Sequence, residues 1–102
     1  MRDLYHPRLE DVGLAHVLHA LSDPVRLDIV RVLADGGEIP CSYLKSEVTK
    51  STMSHHFKVL REAGLTHTRA SGTQRLISLR DDEVEVRFPG LLHSILHAAK
   101  AA

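Results

Sequence analysis

The stretch 51-STMSHHFKVLREAGL-65 places two histidines side by side in an otherwise helical pattern, and its reading decides the fold. Met53, Phe57, Leu60 and Gly64 recur at i, i+4, i+7 and i+11, one continuous stripe that an amphipathic helix would turn toward a core. Thr49 stands at the N-cap, where its hydroxyl can accept from the free N–H groups of the following turn. Helix neighbours point about 100° apart, so His55 and His56 cannot converge on one metal ion. His56 lies at the edge of the stripe, half buried, as a packing or hydrogen-bonding residue. Ser51, Thr52, Ser54, His55 and Lys58 occupy the opposite side, small, polar and cationic at a helix N-terminus that already favours a phosphate. Such a surface can bond base edges and neutralise phosphates in a major groove. Taken alone it reads better as an ordinary solvated helix face, so the neighbouring elements decide.

Upstream, Leu14, Val17, Leu18 and Leu21 predict a first helix from about Leu9 to Leu21, with Val12, Ala15, His16, His19 and Ala20 as a second face. At "SDP", Asp23 or Ser22 can cap a second helix, with Pro24 in its first turn. That helix carries Ile29, Val30 and Leu33 inward and stops at Gly36-Gly37. "IPCSYLKSEV" reads as a short third helix starting at Pro40, followed by a three-residue turn, Val48 to Lys50. Downstream, "LTHTR" and "QRLISL" are strand-like runs joined by the glycine-bearing "ASGT", a hairpin flanked by Arg69 and Arg75. A final helical region follows, capped by Asp81 or Asp82, broken near Phe88-Pro89 and apolar along Leu91, Leu92, Ile95, Leu96 and Ala99. The fold class expected is mainly α with a small β-hairpin, a helix-turn-helix followed by a basic wing.

A chain of 102 residues accommodates one domain and one core. Its 43% hydrophobic and 25% charged composition is that of a folded globule, and no apolar run reaches the ~18 residues of a membrane span. The charged start "MRDLYHPRLED" lacks a secretory signal and Cys41 is the lone cysteine, so a cytoplasmic location with a reduced thiol is expected. Net charge is zero, but from Lys45 to Arg80 seven bases face two acids, a local balance of +5 offset by −5 elsewhere. A neutral protein can in this way present one basic face to nucleic acid. No nucleophile-base constellation or phosphate-cradling glycine loop can be assembled, which argues against an enzyme.

"ALSDPVRLDIVRVLADGGE", "STMSHHFKVLREAGL" and "GTQRLISLR" together resemble the ArsR/SmtB family of bacterial winged-helix repressors over about Ala20 to Leu79. That family opens a helix pair with A-L-x-D-P-x-R-L and has a recognition helix S-x-x-S-x-H-L-x-x-L-x-x-A-G-L; Phe57 stands here where leucine is usual. The resemblance implies that Lys50, Ser51, Thr52, Ser54 and His55 enter the major groove with Lys58 near the backbone. It places Arg69, Gln74 and Arg75 on the wing, against phosphates or the minor groove. It further implies a homodimer through the first and last helices, with Val12, Ala15, His16, His19, Leu92 and Leu96 at the interface. The apolar surplus on those helices agrees with that, since a two-fold dimer would cover it.

Many family members release DNA on binding a metal or a thiophilic oxyanion, often at paired cysteines in the short third helix. Here that stretch reads "EIPCSYL", and Cys41 alone cannot form a dithiolate or a two-cysteine redox switch. His93 and His97, four apart on the last helix, are the candidate ligands for a Zn²⁺ or Ni²⁺ effector. The family's upstream D-x-H element is missing, since Val84 occupies the second position after Asp82, so His16, His19 or His6 of the partner chain would complete the site. The expectation is thus a single winged helix-turn-helix domain over 1–102, with dimerisation helices at 1–21 and 81–102, the helix-turn-helix at 40–64 and the wing at 65–80. As a dimer it would repress from an inverted repeat on double-stranded DNA; the alternative is a winged-helix protein-interaction or metal-buffering module with no operator.

Overall fold

Asp23 fixes the start of the helix against which the others pack. Its carboxylate accepts from the N–H groups of Val25 at 2.8 Å and Arg26 at 3.1 Å, satisfying two donors that a helix start leaves orphaned. Burial works to raise this carboxyl, but the Arg26 N–H, the neighbouring His56 ring, the Val25 N–H and the Arg26 charge together prevail and hold it below its usual range. The computed structural model describes residues 4–44 and 47–101. In chain order it comprises a 3-10 turn Leu9–Asp11, α1 (Leu14–Leu21), α2 (Pro24–Ala34), β1 (Ile39–Pro40), a 3-10 turn Cys41–Tyr43, α3 (Lys50–Glu62), β2 (Thr66–Ser71), β3 (Gln74–Leu79), α4 (Asp81–Arg87) and α5 (Leu91–Ala101).

β2 and β3 form an antiparallel hairpin in register from Thr66↔Leu79 to Ser71↔Gln74, turning through Gly72-Thr73. Gly72 has φ 61°, the positive value that such two-residue turns require. β1 adds to the other side of β3, giving the order β1-β3-β2. Val17, Val30, Leu33, Leu60, Leu65, Ile77 and Val84 are fully buried where the helices meet this sheet.

Four expectations change. The first helix is cut by Gly13, which becomes the N-cap of α1, so only a 3-10 turn precedes it. Within α1 the core takes Val17, Ala20 and Leu21, leaving Leu14 and Leu18 48% and 44% exposed. The apolar arc of α1 is wider than the core it meets, and the core selects the side that includes the small Ala20. The short third helix reduces, among the described residues, to the 3-10 turn Cys41–Tyr43, because Ile39 and Pro40 pair with Ile77 and Leu76 as a strand; positions 45 and 46 lie outside the described residues. Finally, Arg80 and not Asp81 or Asp82 occupies the N-cap position of α4, with no side-chain cap bond.

The segment before α1 is strapped across the base of the wing. Arg80 donates to the Pro7 carbonyl at 2.7 Å, and Arg87 donates to those of Leu9 and Val12 at 3.2 and 3.0 Å. Gly64 lets this strap lie close: its φ is 76°, and an added Cβ would come 3.0 Å from Val12 Cγ2.

Candidate DNA-binding site

The outer face of α3 is built by its inner one. Met53, His56 and Leu60 are buried at i, i+3 and i+7, which turns Lys50, Ser51, Thr52, Ser54, His55 and Lys58 outward, all exposed. Phe57 is only partly buried, and His56 takes the deeper place. Thr49 caps the helix by accepting from the Thr52 N–H at 3.2 Å, and its hydroxyl also lies within 3.1 Å of Ser51 Oγ and 3.0 Å of Thr52 Oγ1. Ser51 and Thr52 are therefore tied to the cap. Among the described residues no hydrogen bond engages the side chains of Ser54, His55 or Lys58, so their polar groups face solvent uncommitted. The His55 and His56 rings lie 6.1 Å apart and tilted by 52°, unsuited to a shared metal.

The wing presents its residues unequally. Gln74 and Arg75 are exposed at its tip. Arg69 is exposed but committed, its guanidinium donating to both Glu38 oxygens at 2.6 and 2.8 Å. The Arg69 guanidinium in turn holds the Glu38 carboxyl below the usual carboxylate range. Arg80 likewise pairs with Glu83 at 2.7 Å. Two of the seven bases counted from Lys45 to Arg80 are thus neutralised by acids outside that segment, and the basic face is less charged than its sequence balance.

The remaining candidates separate by burial. Ala15, His16 and His19 are exposed on α1, and Leu96 is half-buried on α5. Val12 and Leu92, assigned to a dimer interface, lie in the core of the protomer at 3% exposure each. They can support an interface only from behind; Leu14 and Leu18 are the large apolar residues that α1 leaves in front. His93 and His97 are both exposed and line a groove of 290 Å³ with Asp81 and Glu85. Glu85 accepts from the Gly90 N–H at 3.1 Å, and no group of three metal-ligating side chains forms among the described residues. His6 is not free to ligate through Nε2, which accepts from the Thr68 N–H at 3.0 Å while its ring stacks on His67. Burial, His67, Arg61 and Arg80 all push its pKa down, consistent with a neutral acceptor. Burial pushes the Cys41 thiol up against the charges of Arg75 and Arg61, the opposite of a reactive thiolate.

A family profile described as a helix-turn-helix domain matches residues 21–69, the span from the end of α1 through α3 into β2. The uncharacterized HTH-type transcriptional regulator YceK of Bacillus subtilis is 43% identical over 89 residues, covering 84% of this chain and 89% of that protein. The arsenical resistance operon repressor of Staphylococcus xylosus is 34% identical over 70 residues, covering 68% of this chain and 67% of that protein. The chain belongs to the ArsR/SmtB family. Among solved structures, HlyU from Vibrio cholerae superposes with a TM-score of 0.68 at 28% identity, covering 86% of this chain and 91% of that one. This ArsR/SmtB protein is therefore a winged-helix transcriptional regulator that binds DNA, a non-enzymatic class. No helix among the described residues is long and apolar enough to cross a membrane.

Sequence reasoning missed Arg26, which is 7% exposed and bonded to His56. A signal was present. Arg26 falls in line with Ile29, Val30 and Leu33 at i, i+3, i+4 and i+7, a cation on an apolar stripe.

Proposed function

We propose that this regulator acts in the cytoplasm as a homodimeric repressor on an inverted repeat, each protomer reading a half-site with Ser54 and His55. Lys50, Ser51, Thr52 and Lys58 would fix the helix on the phosphates, and Gln74 and Arg75 would hold the wing against the neighbouring backbone or minor groove. Arg69 would join them only by leaving Glu38. The observation that carries this reading is the unengaged Ser54, His55 and Lys58 surface beside a capped helix N-terminus. Half-sites about one helical turn apart, ~10 bp, suit a two-fold pair of such helices.

Titration of the dimer with operator and random duplex at two salt concentrations tests it. His55→Ala is expected to lower operator affinity by about 5- to 150-fold, the equivalent of one lost base contact, while random duplex changes little. Lys58→Ala is expected to weaken both duplexes alike and reduce the salt slope by about 1. Equal losses on the two duplexes for His55→Ala would remove it from base reading.

The effector reading is narrower. His93 and His97 supply two imidazoles, half of a tetrahedral set. With no third donor gathered among the described residues, a Zn²⁺ or Ni²⁺ ion would need His16 or His19 of the partner subunit. Calorimetry of the dimer with each metal, repeated on His93→Ala/His97→Ala, decides it. A binding step lost in the double variant supports metal control, and no step in the wild type removes it.

A further inference from the structure

One buried polar cluster faces no DNA, yet it joins three helices. Arg26, in the first turn of α2, donates through Nε to the Ala20 carbonyl at 2.7 Å and through Nη2 to the His19 carbonyl at 3.3 Å, both at the end of α1. Its Nη1 lies 3.1 Å from His56 Nδ1, in the middle of α3. Arginine carries only donors, so Nδ1 is the acceptor in this contact. Asp23 Oδ2, 3.9 Å from Nδ1, is too distant for a hydrogen bond and already accepts two backbone N–H groups.

Both side chains are 7% exposed. A guanidinium there is costly to desolvate, and an apolar pair of similar volume would often stabilise the fold as well or better. Packing alone therefore does not account for the pair, whereas a requirement for fixed geometry does. One planar fork couples the end of α1, the start of α2 and the face of α3 directly behind His55. A turn of α3 about its own axis would break the Nη1 to Nδ1 bond and swing Ser54 and His55 off their line.

We propose that Arg26 is a positioning residue for DNA recognition, holding the rotation of α3 relative to α1 through the unprotonated Nδ1 of His56. This rests on the outer face of α3 being the base-reading surface. It also gives the α1 helix of a dimer a direct mechanical link to α3, since the same guanidinium holds both.

The test compares Arg26→Lys, His56→Leu and His56→Asn in the full-length dimer. Lysine lacks the fork, leucine fills the volume without an acceptor, and asparagine offers Oδ1 near the place of Nδ1. His56→Leu leaves the buried Arg26 Nη1 without its acceptor, so it is expected to melt below the wild type and, in the folded protein, to lose about tenfold or more in operator-to-random preference, the weight of a hydrogen bond to a charged group. His56→Asn is expected to keep that preference within about threefold. Residual dipolar couplings of the DNA-free dimers should show α3 rotated against α1 in Arg26→Lys and His56→Leu and unmoved in His56→Asn. An unrotated α3 with wild-type preference in His56→Leu overturns the proposal. So does a ring proton found on Nδ1 of wild-type His56 by ¹⁵N NMR, a measurement that stands even where a variant does not fold. If the wild type prefers no duplex at raised salt, the base-reading assignment fails by itself, and the orientation of α3 still decides the role of Arg26.

Discussion

Leu60→Ala is expected to destabilise the protein by about 2–5 kcal/mol, measured by urea unfolding at fixed protein concentration. Leu60 is 0% exposed on the inner face of α3, so truncation removes its transfer free energy and leaves a cavity that the surrounding helices close only in part. Against a typical domain stability of about 5–15 kcal/mol this is a large fraction. The loss should also spread to function, because Leu60, Met53 and His56 are what turn Ser54 and His55 outward. Lys58→Ala, two residues away on the exposed side, should leave stability within about 0.5 kcal/mol while weakening DNA binding. On the proposed reading one helix has a face that sets stability and a face that would set affinity, and the two substitutions should separate them. A change below about 1 kcal/mol for Leu60→Ala would mean that α3 is not seated as described.

That division was legible in the sequence because it depends on periodicity and caps, which are local. The 3.6-residue stripe of α3, the Thr49 cap, the Asp23-Pro24 start and the glycine-bearing hairpin turn were all carried by neighbouring residues. What escaped was set by partners distant along the chain. β1 has two residues and exists only because β3 offers it an edge. Arg69 reads as a phosphate contact until Glu38, 31 positions earlier, is seen to hold it. His56 reads as a residue at the edge of its stripe and Arg26 as no more than part of a motif, and only packing brings them together across 30 positions. On α1 the surplus of apolar surface was evident, but which residues carried it was not, since α2 and α3 choose the side that is buried.

Those surplus residues carry the largest expected effect on DNA binding. Replacing both Leu14 and Leu18 by glutamate is expected to convert the proposed dimer to a monomer in sedimentation equilibrium. Both are about half exposed, 48% and 44%, so in a folded monomer the charges would point into water, where substitutions commonly cost within about 0.5 kcal/mol. In a dimer paired through α1 they would face the partner's apolar surface and desolvate two charges per chain. With dimerisation lost, the second half-site is no longer an intramolecular event, and affinity for the full inverted repeat should fall by about 10²- to 10⁴-fold. Binding to an isolated half-site should remain near that of the wild type, because neither leucine lies on α3 or the wing. Val12→Glu supplies the contrast: Val12 is 3% exposed inside the protomer, so a charge there should unfold the chain instead of dissociating it. A Leu14→Glu/Leu18→Glu protein that remains dimeric and binds the repeat undiminished would mean that the subunits pair through another surface, with α5 and its half-buried Ile95 and Leu96 as the next place to substitute.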